Sequence, residues 1–285
     1  MKKILIQLDT DALPSTFDRV VAVDSGVDEL FSYGGVTPDN VTGLVHGAMF
    51  TRGGDDLKNT AIFIGGSNVA DGEALLKKVQ SVFFGPVRVS ILMDSNGSNT
   101  TAAAAVLAAG KHVDLSQTTA LLLGGTGPVG QRAAQILTRL GATVRIGTRS
   151  AAKAEATCEA VRAQSAEARV SAHETGTAEG LIAAADGVEV IIATGAAGIQ
   201  LLSADQRAQI GSLKVAIDLN AVPPVGIEGV QVFDKAVEQN GVFCYGAIGV
   251  GGTKMKIHKA AVQKLFTAND LLLDTAAVFE IGQNL

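Results

Sequence analysis

The chain has no tryptophan, two cysteines, six prolines and four histidines in 285 residues, and only 18% of its residues are charged. Each shortage excludes something. Cys158 lies in an Ala-rich stretch and Cys244 in an apolar one; neither belongs to a metal-ligand spacing or a disulfide framework, so both read as buried thiols. There is no zinc motif, no G-x-S-x-G elbow and no G-x-x-x-x-G-K-[ST] loop, which removes the main support for hydrolase and NTP-driven chemistry. A net charge of −5 argues against a nucleic-acid partner, because a phosphate-backbone binder needs a basic face. No run approaches the ~20 apolar residues that span a membrane. The apolar start Ile4-Leu5-Ile6 is broken by Gln7 and Asp9, too soon for a secretory leader. The expectation is a soluble, cytoplasmic protein.

What is abundant is apolar and small. Hydrophobic residues make up 47% and glycine supplies 33 positions, which suits many strand–turn–helix junctions. Helix and strand signals alternate almost throughout, predicting an α/β protein with parallel sheets. Strands are expected at 3–8, 60–64, 87–93, 121–123, 143–146, 188–193, 214–219 and 241–245. Helices are expected at 14–23, at 68–83, from 129 to 140 and from 151 to about 164. Thr37-Pro38-Asp39-Asn40 reads as a helix start, with Thr as cap and Pro in the first turn. The last helices are placed near Thr253 and Asp270. The polar stretch Lys111–Gln117 marks a boundary between an N-terminal α/β domain (1–112) and a doubly wound parallel sheet (113–252), with the helices of 253–285 packing back across a cleft between the two.

The sharpest motif is Gly125-Thr126-Gly127-Pro128-Val129-Gly130, preceded by the apolar run Ala120–Leu123 and followed by a helical pattern. Alone, G-x-G-x-x-G is weak; between a strand and a helix it predicts a Rossmann-type dinucleotide site. Gly125 permits the turn, Gly127 the approach of a pyrophosphate, and Gly130 close helix packing. Pro128 has no N–H, so the donors are expected from Thr126, Gly127 and Val129. The next strand ends in Thr148-Arg149-Ser150, where an NAD site would normally place Asp or Glu. Arg149 suits a 2′-phosphate, with Ser150 and Lys153 in support, so NADP is the expected cofactor and NAD a weaker one. Thr194, Gly195, Ala196, Asn220 and Gly246 lie at later strand ends, where small residues let a flat ring approach or simply turn the chain.

Asp9 and Asp11 follow the first strand, and Asp94, Ser95, Asn96, Asn99 and Thr100 follow a later one. Such groups can pair with the amide-like edge of a heterocycle, or cap helices. Lys254 falls on one helical face with Ile257, His258, Ala261 and Leu265, whereas Lys256 shares its face with Ala260, Gln263 and Thr267. A cation at the start of an inward face makes Lys254 a cleft candidate, or else a snorkelling surface lysine. His258 reads as a packed helix residue.

Five stretches resemble the bacterial methylene-tetrahydromethanopterin dehydrogenases across nearly the whole chain. They are Gln7–Asp11, Tyr33–Val41, Phe50–Gly54, Met93–Thr101 and Gly246–Gly252. Asp94-Ser95-Asn96-Gly97-Ser98-Asn99-Thr100-Thr101 is the most specific. The resemblance implies a pterin held by the N-terminal domain, NADP held by the Rossmann domain, and hydride passing between them. It gives Lys254 the task of orienting the carrier, and implies a homotrimer or a hexamer built from trimers. A tetrahydrofolate enzyme with the same hydride step stays open, as does a non-catalytic NADP-binding sensor. A shikimate-type dehydrogenase shares the Arg but should show a Lys–Asp pair that is not evident here.

Overall fold

The computed structural model describes all 285 residues. In chain order its elements are β1 (Ile4–Asp9), α1 (Thr16–Asp24), β2 (Glu29–Tyr33), α2 (Thr42–Phe50), β3 (Thr60–Gly65), α3 (Val69–Ser81), β4 (Ser90–Met93) and α4 (Ser98–Ala109). Then come β5 (Thr119–Leu123), α5 (Pro128–Arg139), β6 (Thr143–Thr148), α6 (Ala151–Arg162), β7 (Val170–Glu174), α7 (Ala178–Ala185), β8 (Val190–Ala193), α8 (Ala204–Ala208) and β9 (Val215–Asp218). The chain ends with β10 (Lys235–Gln239), β11 (Val242–Tyr245), α9 (Ala247–Lys264), β12 (Leu272–Leu273) and α10 (Thr275–Gln283). Two compact units result, Met1–Thr100 with Met255–Leu285, and Thr101–Lys254. No helix is long and apolar enough to cross a membrane.

The first unit carries a parallel sheet in the order β12-β4-β3-β1-β2. Its central strand β3 is buried along its whole length, which fits the near-continuous apolar run of a strand covered on both faces. Leu8, Ile62, Ile64, Val45 and Leu75 form part of its core. Asn68 caps α3 by accepting the N–H groups of Ala70 and Asp71, as its place before an amphipathic run requires. Thr37-Pro38-Asp39-Asn40 does not open a helix. Asn40 instead folds it into a turn, accepting the Thr37 N–H at 2.8 Å and donating to the Gly35 carbonyl, and α2 starts only at Thr42.

The second unit carries seven strands in the order β10-β11-β9-β8-β5-β6-β7, all parallel except β10. The chain steps outward from β5 to β6 and β7, then returns to the other side of β5 for β8, β9 and β11. The strand order therefore reverses between β5 and β8, the point where open α/β sheets bind ligands at the carboxyl ends of their strands. The sequence reading of a doubly wound sheet stands. At its far edge Asn240 (φ 53°) and Gly241 (φ 79°) form the two-residue turn of the β10–β11 hairpin.

Two C-terminal elements differ from expectation. Helix α9 begins at Ala247 and not near Thr253. Its first turn is closed by backbone: Ile248 N–H donates to the Val232 carbonyl, and Gly246 N–H to that of Asp234. Only glycine permits this, since a Cβ at 246 would lie 2.0 Å from the Gln231 oxygen and one at 249 would lie 1.7 Å from that of Asp234. Around Asp270 there is no helix; β12 pairs with β4, and α10 then starts behind the Asp274 cap.

Candidate functional site

At the reversal point the glycine turn is present, but the residue that takes the left-handed conformation is Gly124 (φ 67°) and not Gly125 as expected. A Cβ on Gly130 would sit 2.5 Å from the Gly125 oxygen, and one on Gly125 2.8 Å from the Leu122 oxygen, so these two glycines serve packing. Gly127 differs: the nearest atom to a Cβ there is 3.7 Å away. That backbone is open on one side, at the N-cap of α5, with Pro128 in the first turn and no side-chain cap. A helix start left in this state favours an anion. One expectation is corrected. Gly127 N–H is not a spare donor, because it closes the turn on the Gly124 carbonyl at 3.3 Å.

The turn opens into a cavity of about 600 Å³. Thr126, Gly127, Thr148, Arg149, Thr194, Gly195 and Ala196 line it, so the structure brings together the ends of β5, β6 and β8. The sequence reading missed two further walls. One is Thr175-Gly176-Thr177-Ala178 with Leu181, after β7; the other is Ile199–Ser203 with Gln206, after β8. No acidic side chain lines the cavity. Pro128 and Val129 stand behind the turn in α5, and Ser150 and Lys153 open α6, where the Ser150 oxygen accepts the Lys153 N–H.

Two expected cofactor residues face other duties. Asn220 donates its N–H to Asp218 Oδ1 and its Nδ2–H to the Pro224 carbonyl, and accepts the Val222 N–H, so its amide holds its own loop. Gly246 is consumed in closing α9, as described above. Beside Asn220, burial pushes the Asp218 carboxyl above the usual carboxylate range, opposed by N–H groups from Ile227, Asn220 and Gly226.

At the carboxyl edge of the first sheet most of the expected substrate residues are bound to the protein itself. Asp94 Oδ1 accepts the N–H groups of Asn99 and Thr100, and Oδ2 accepts the Thr100 hydroxyl at 2.6 Å. Asn99 donates to the Met93 carbonyl and accepts the Thr275 hydroxyl; the Ser95 hydroxyl donates to Gly65. Asp9 accepts from Asp11 and Ser15, and Asp11 accepts both the N–H and the hydroxyl of Ser67. Asp94 thus ties down the start of α4, and Asp9 and Asp11 tie the segments that lead into α1 and α3. Asn96 is the exception, exposed at a left-handed φ of 55°, with its backbone N–H tied to the Gly66 carbonyl.

Lys254 is half-buried and Lys256 exposed, while Ile257, His258, Ala261 and Leu265 are buried, so the two helix faces fall as the sequence implied. With α9 starting at Ala247, however, Lys254 lies about two turns inside the helix, and its supposed conflict with the N-terminal dipole lapses. His258 is stacked on Phe63 with ring centroids 5.7 Å apart, a packed residue. Both cysteines are buried, and burial pushes both thiols up.

The family model described as the N-terminal region of methylene-tetrahydromethanopterin dehydrogenase matches residues 16–96. A protein of Methylorubrum extorquens called "Bifunctional protein MdtA" is 42% identical, with 100% of this chain and 99% of the relative covered. The NAD(P)-dependent methylenetetrahydromethanopterin dehydrogenase of the same organism is 30% identical over 94% of this chain and 93% of its own. The chain belongs to the methylene-tetrahydromethanopterin dehydrogenase family. That family is one of oxidoreductases of one-carbon metabolism, as the sequence resemblance implied. Among solved structures, quinate dehydrogenase from Corynebacterium glutamicum in complex with NAD covers 100% of this family member with a TM-score of 0.52 at 11% identity, and 99% of it is covered in turn. The 5-ketofructose reductase of Gluconobacter sp. gives the same coverage and TM-score at 15% identity. At such identities the likeness concerns the α/β fold alone.

Proposed function

We propose that the chain catalyses reversible hydride transfer from methylene-tetrahydromethanopterin to NADP⁺, giving the methenyl carrier and NADPH. The observation that carries the cofactor half is Arg149 at the end of β6, bordering an acid-free cavity beside the open backbone of Gly127. These residues fit a dinucleotide: the turn and the α5 N-terminus suit a pyrophosphate, and Arg149 a 2′-phosphate. When bound, the nicotinamide supplies the hydride acceptor.

The carrier half rests on the family and on chemistry. The methylene carbon stands between two nitrogens, so losing hydride leaves an amidinium that the carrier itself stabilises. No proton has to be removed, and no general base is needed. The protein's task is to hold the carbon at a reactive distance, about 3–3.5 Å for a near-attack geometry. We assign Lys254 to orienting the carrier's reacting edge; a cation beside a developing cation does not stabilise it. Asn96 is an exposed amide at the edge that Asp9, Asp11, Asp94, Ser95, Asn99 and Thr100 fix in shape. The enzyme is proposed to act in the cytoplasm as a homotrimer or as a hexamer built from two trimers.

The deciding experiment follows methenyl absorbance with methylene-tetrahydromethanopterin and methylene-tetrahydrofolate, each with NADP⁺ and NAD⁺. Fastest turnover is expected with the methanopterin carrier and NADP⁺. NADPH binding without turnover on either carrier would replace this reading with a cofactor sensor. Lys254→Gln is expected to lower turnover with little change in cofactor KM; unchanged turnover removes Lys254 from the site.

A further inference from the structure

The loop after β7 carries chemistry at the Arg149 end of the cavity. Thr175 is fixed there by its N–H, which donates to the Thr148 carbonyl at 2.9 Å. It packs closely over β6 at Gly147, where a Cβ would meet Thr175 Cγ2 at a tight 3.0 Å. The Arg149 stem lies along Gly176, with Cα and Cγ both 3.6 Å from where a Cβ would stand. Thr175 and Thr177 therefore flank the residue on which Arg149 rests. The Thr177 oxygen accepts the Gly180 N–H, and neither that hydroxyl nor those of Thr148 and Thr175 donates its proton to an acceptor within the chain. No carboxylate lines the cavity wall, and Thr148, Thr175 and Thr177 line it together with Arg149.

We propose that the Thr175 and Thr177 hydroxyls, with that of Thr148, donate to the 2′-phosphate, so that these threonines share with Arg149 the selection of NADP over NAD. This rests on the NADP reading above. Arg149 supplies charge; the hydroxyls fix where the phosphate oxygens sit, because a short O–H donor on a strand end is held more closely than a long guanidinium stem.

The test uses the full-length protein and two probes, 2′,5′-ADP and 5′-ADP, titrated by calorimetry. Thr175→Val keeps the branched shape over Gly147 and removes only the hydroxyl. Its affinity for 2′,5′-ADP is expected to fall about tenfold, the scale of one hydrogen bond to a charged acceptor, with 5′-ADP unchanged. Thr175→Ser is expected to restore binding. Thr177→Val also loses the α7 cap, so it is paired with Thr177→Ser and a melting curve. Equal losses for both probes would assign the hydroxyl to base or ribose and overturn the proposal, as would no loss for either. If Arg149→Ala abolishes the preference for 2′,5′-ADP while Thr175→Val leaves it intact, only the threonine role fails. Wild-type protein binding both probes equally would defeat the NADP reading itself.

Discussion

Arg149 stands out in the sequence because it breaks a pattern: a cation stands where an NAD site keeps an acid. Arg149→Ala should raise the KM for NADP⁺ by about 10- to 100-fold, the worth of a hydrogen-bonded charge pair, and that for NAD⁺ far less. Steady-state kinetics with both cofactors checks this, and equal changes would count against the assignment. Asp94 was not legible in the same way. Asp, Ser and Asn before a helix satisfy backbone donors or a ligand equally well on paper, and only coordinates show that Asn99 and Thr100 already occupy its carboxylate. His112 carries a second prediction at this scale. It stacks on Phe243 with centroids 3.9 Å apart and is hydrogen-bonded to the Tyr245 hydroxyl at 2.7 Å. Burial, then the nearby Lys111 charge, lowers its pKa from the usual 6.5. The unfolded chain thus binds the proton more readily; this contribution to stability is present above about 6.5 and is lost as pH falls through the folded value. His112→Phe should flatten the fall of the urea midpoint between pH 7.5 and 5.5, and an unaltered slope would place the effect elsewhere.

Among the elements, the glycine turn separates two substitutions that look alike in sequence. Gly127→Ala meets nothing closer than 3.7 Å in the protein and keeps an ordinary φ of −74°. It should melt like wild type yet bind NADP⁺ and NAD⁺ more weakly, because the added methyl occupies the ligand side. Gly130→Ala would drive a methyl to 2.5 Å of the Gly125 oxygen, and overpacking of this kind costs about 1–3 kcal/mol. Thermal melts and cofactor titrations of the pair separate packing from binding; two equally unstable variants would refute the distinction. The β5-turn-α5 unit was readable because strand, glycine spacing and helix agree. The β10–β11 hairpin also carries a sequence signal in Asn240-Gly241, a dipeptide suited to two successive positive φ values. The start of α9 had none. Gly-rich sequence disfavours a helix locally, and what secures Ala247–Thr253 is carbonyls from residues 232 and 234, distant in pattern if not in number.

For the whole molecule, the chain leaves its first unit at Thr100 and rejoins it at Met255. The returning segment is fastened there by β12 beside β4, by Ser90 donating to the Ala268 carbonyl, and by Asn269 donating to those of Pro86 and Arg88. A two-residue strand carries no readable periodicity, so this return was beyond sequence patterning. Every residue of the cavity, by contrast, lies within Thr101–Lys254. A ligand that binds only the folded form stabilises by mass action, about 2.7 kcal/mol at one hundred times its Kd. For a unit of this size that corresponds to a rise in Tm of ~5–10 °C. NADP⁺ should therefore produce its shift at lower concentration than NAD⁺, with the full chain and no carrier present. Arg149→Ala should bring the two dose curves together by moving the NADP⁺ curve alone. Coincident curves for the wild-type protein would mean that the 2′-phosphate contributes nothing to binding, and the cation at the end of β6 would then be an ordinary solvated arginine.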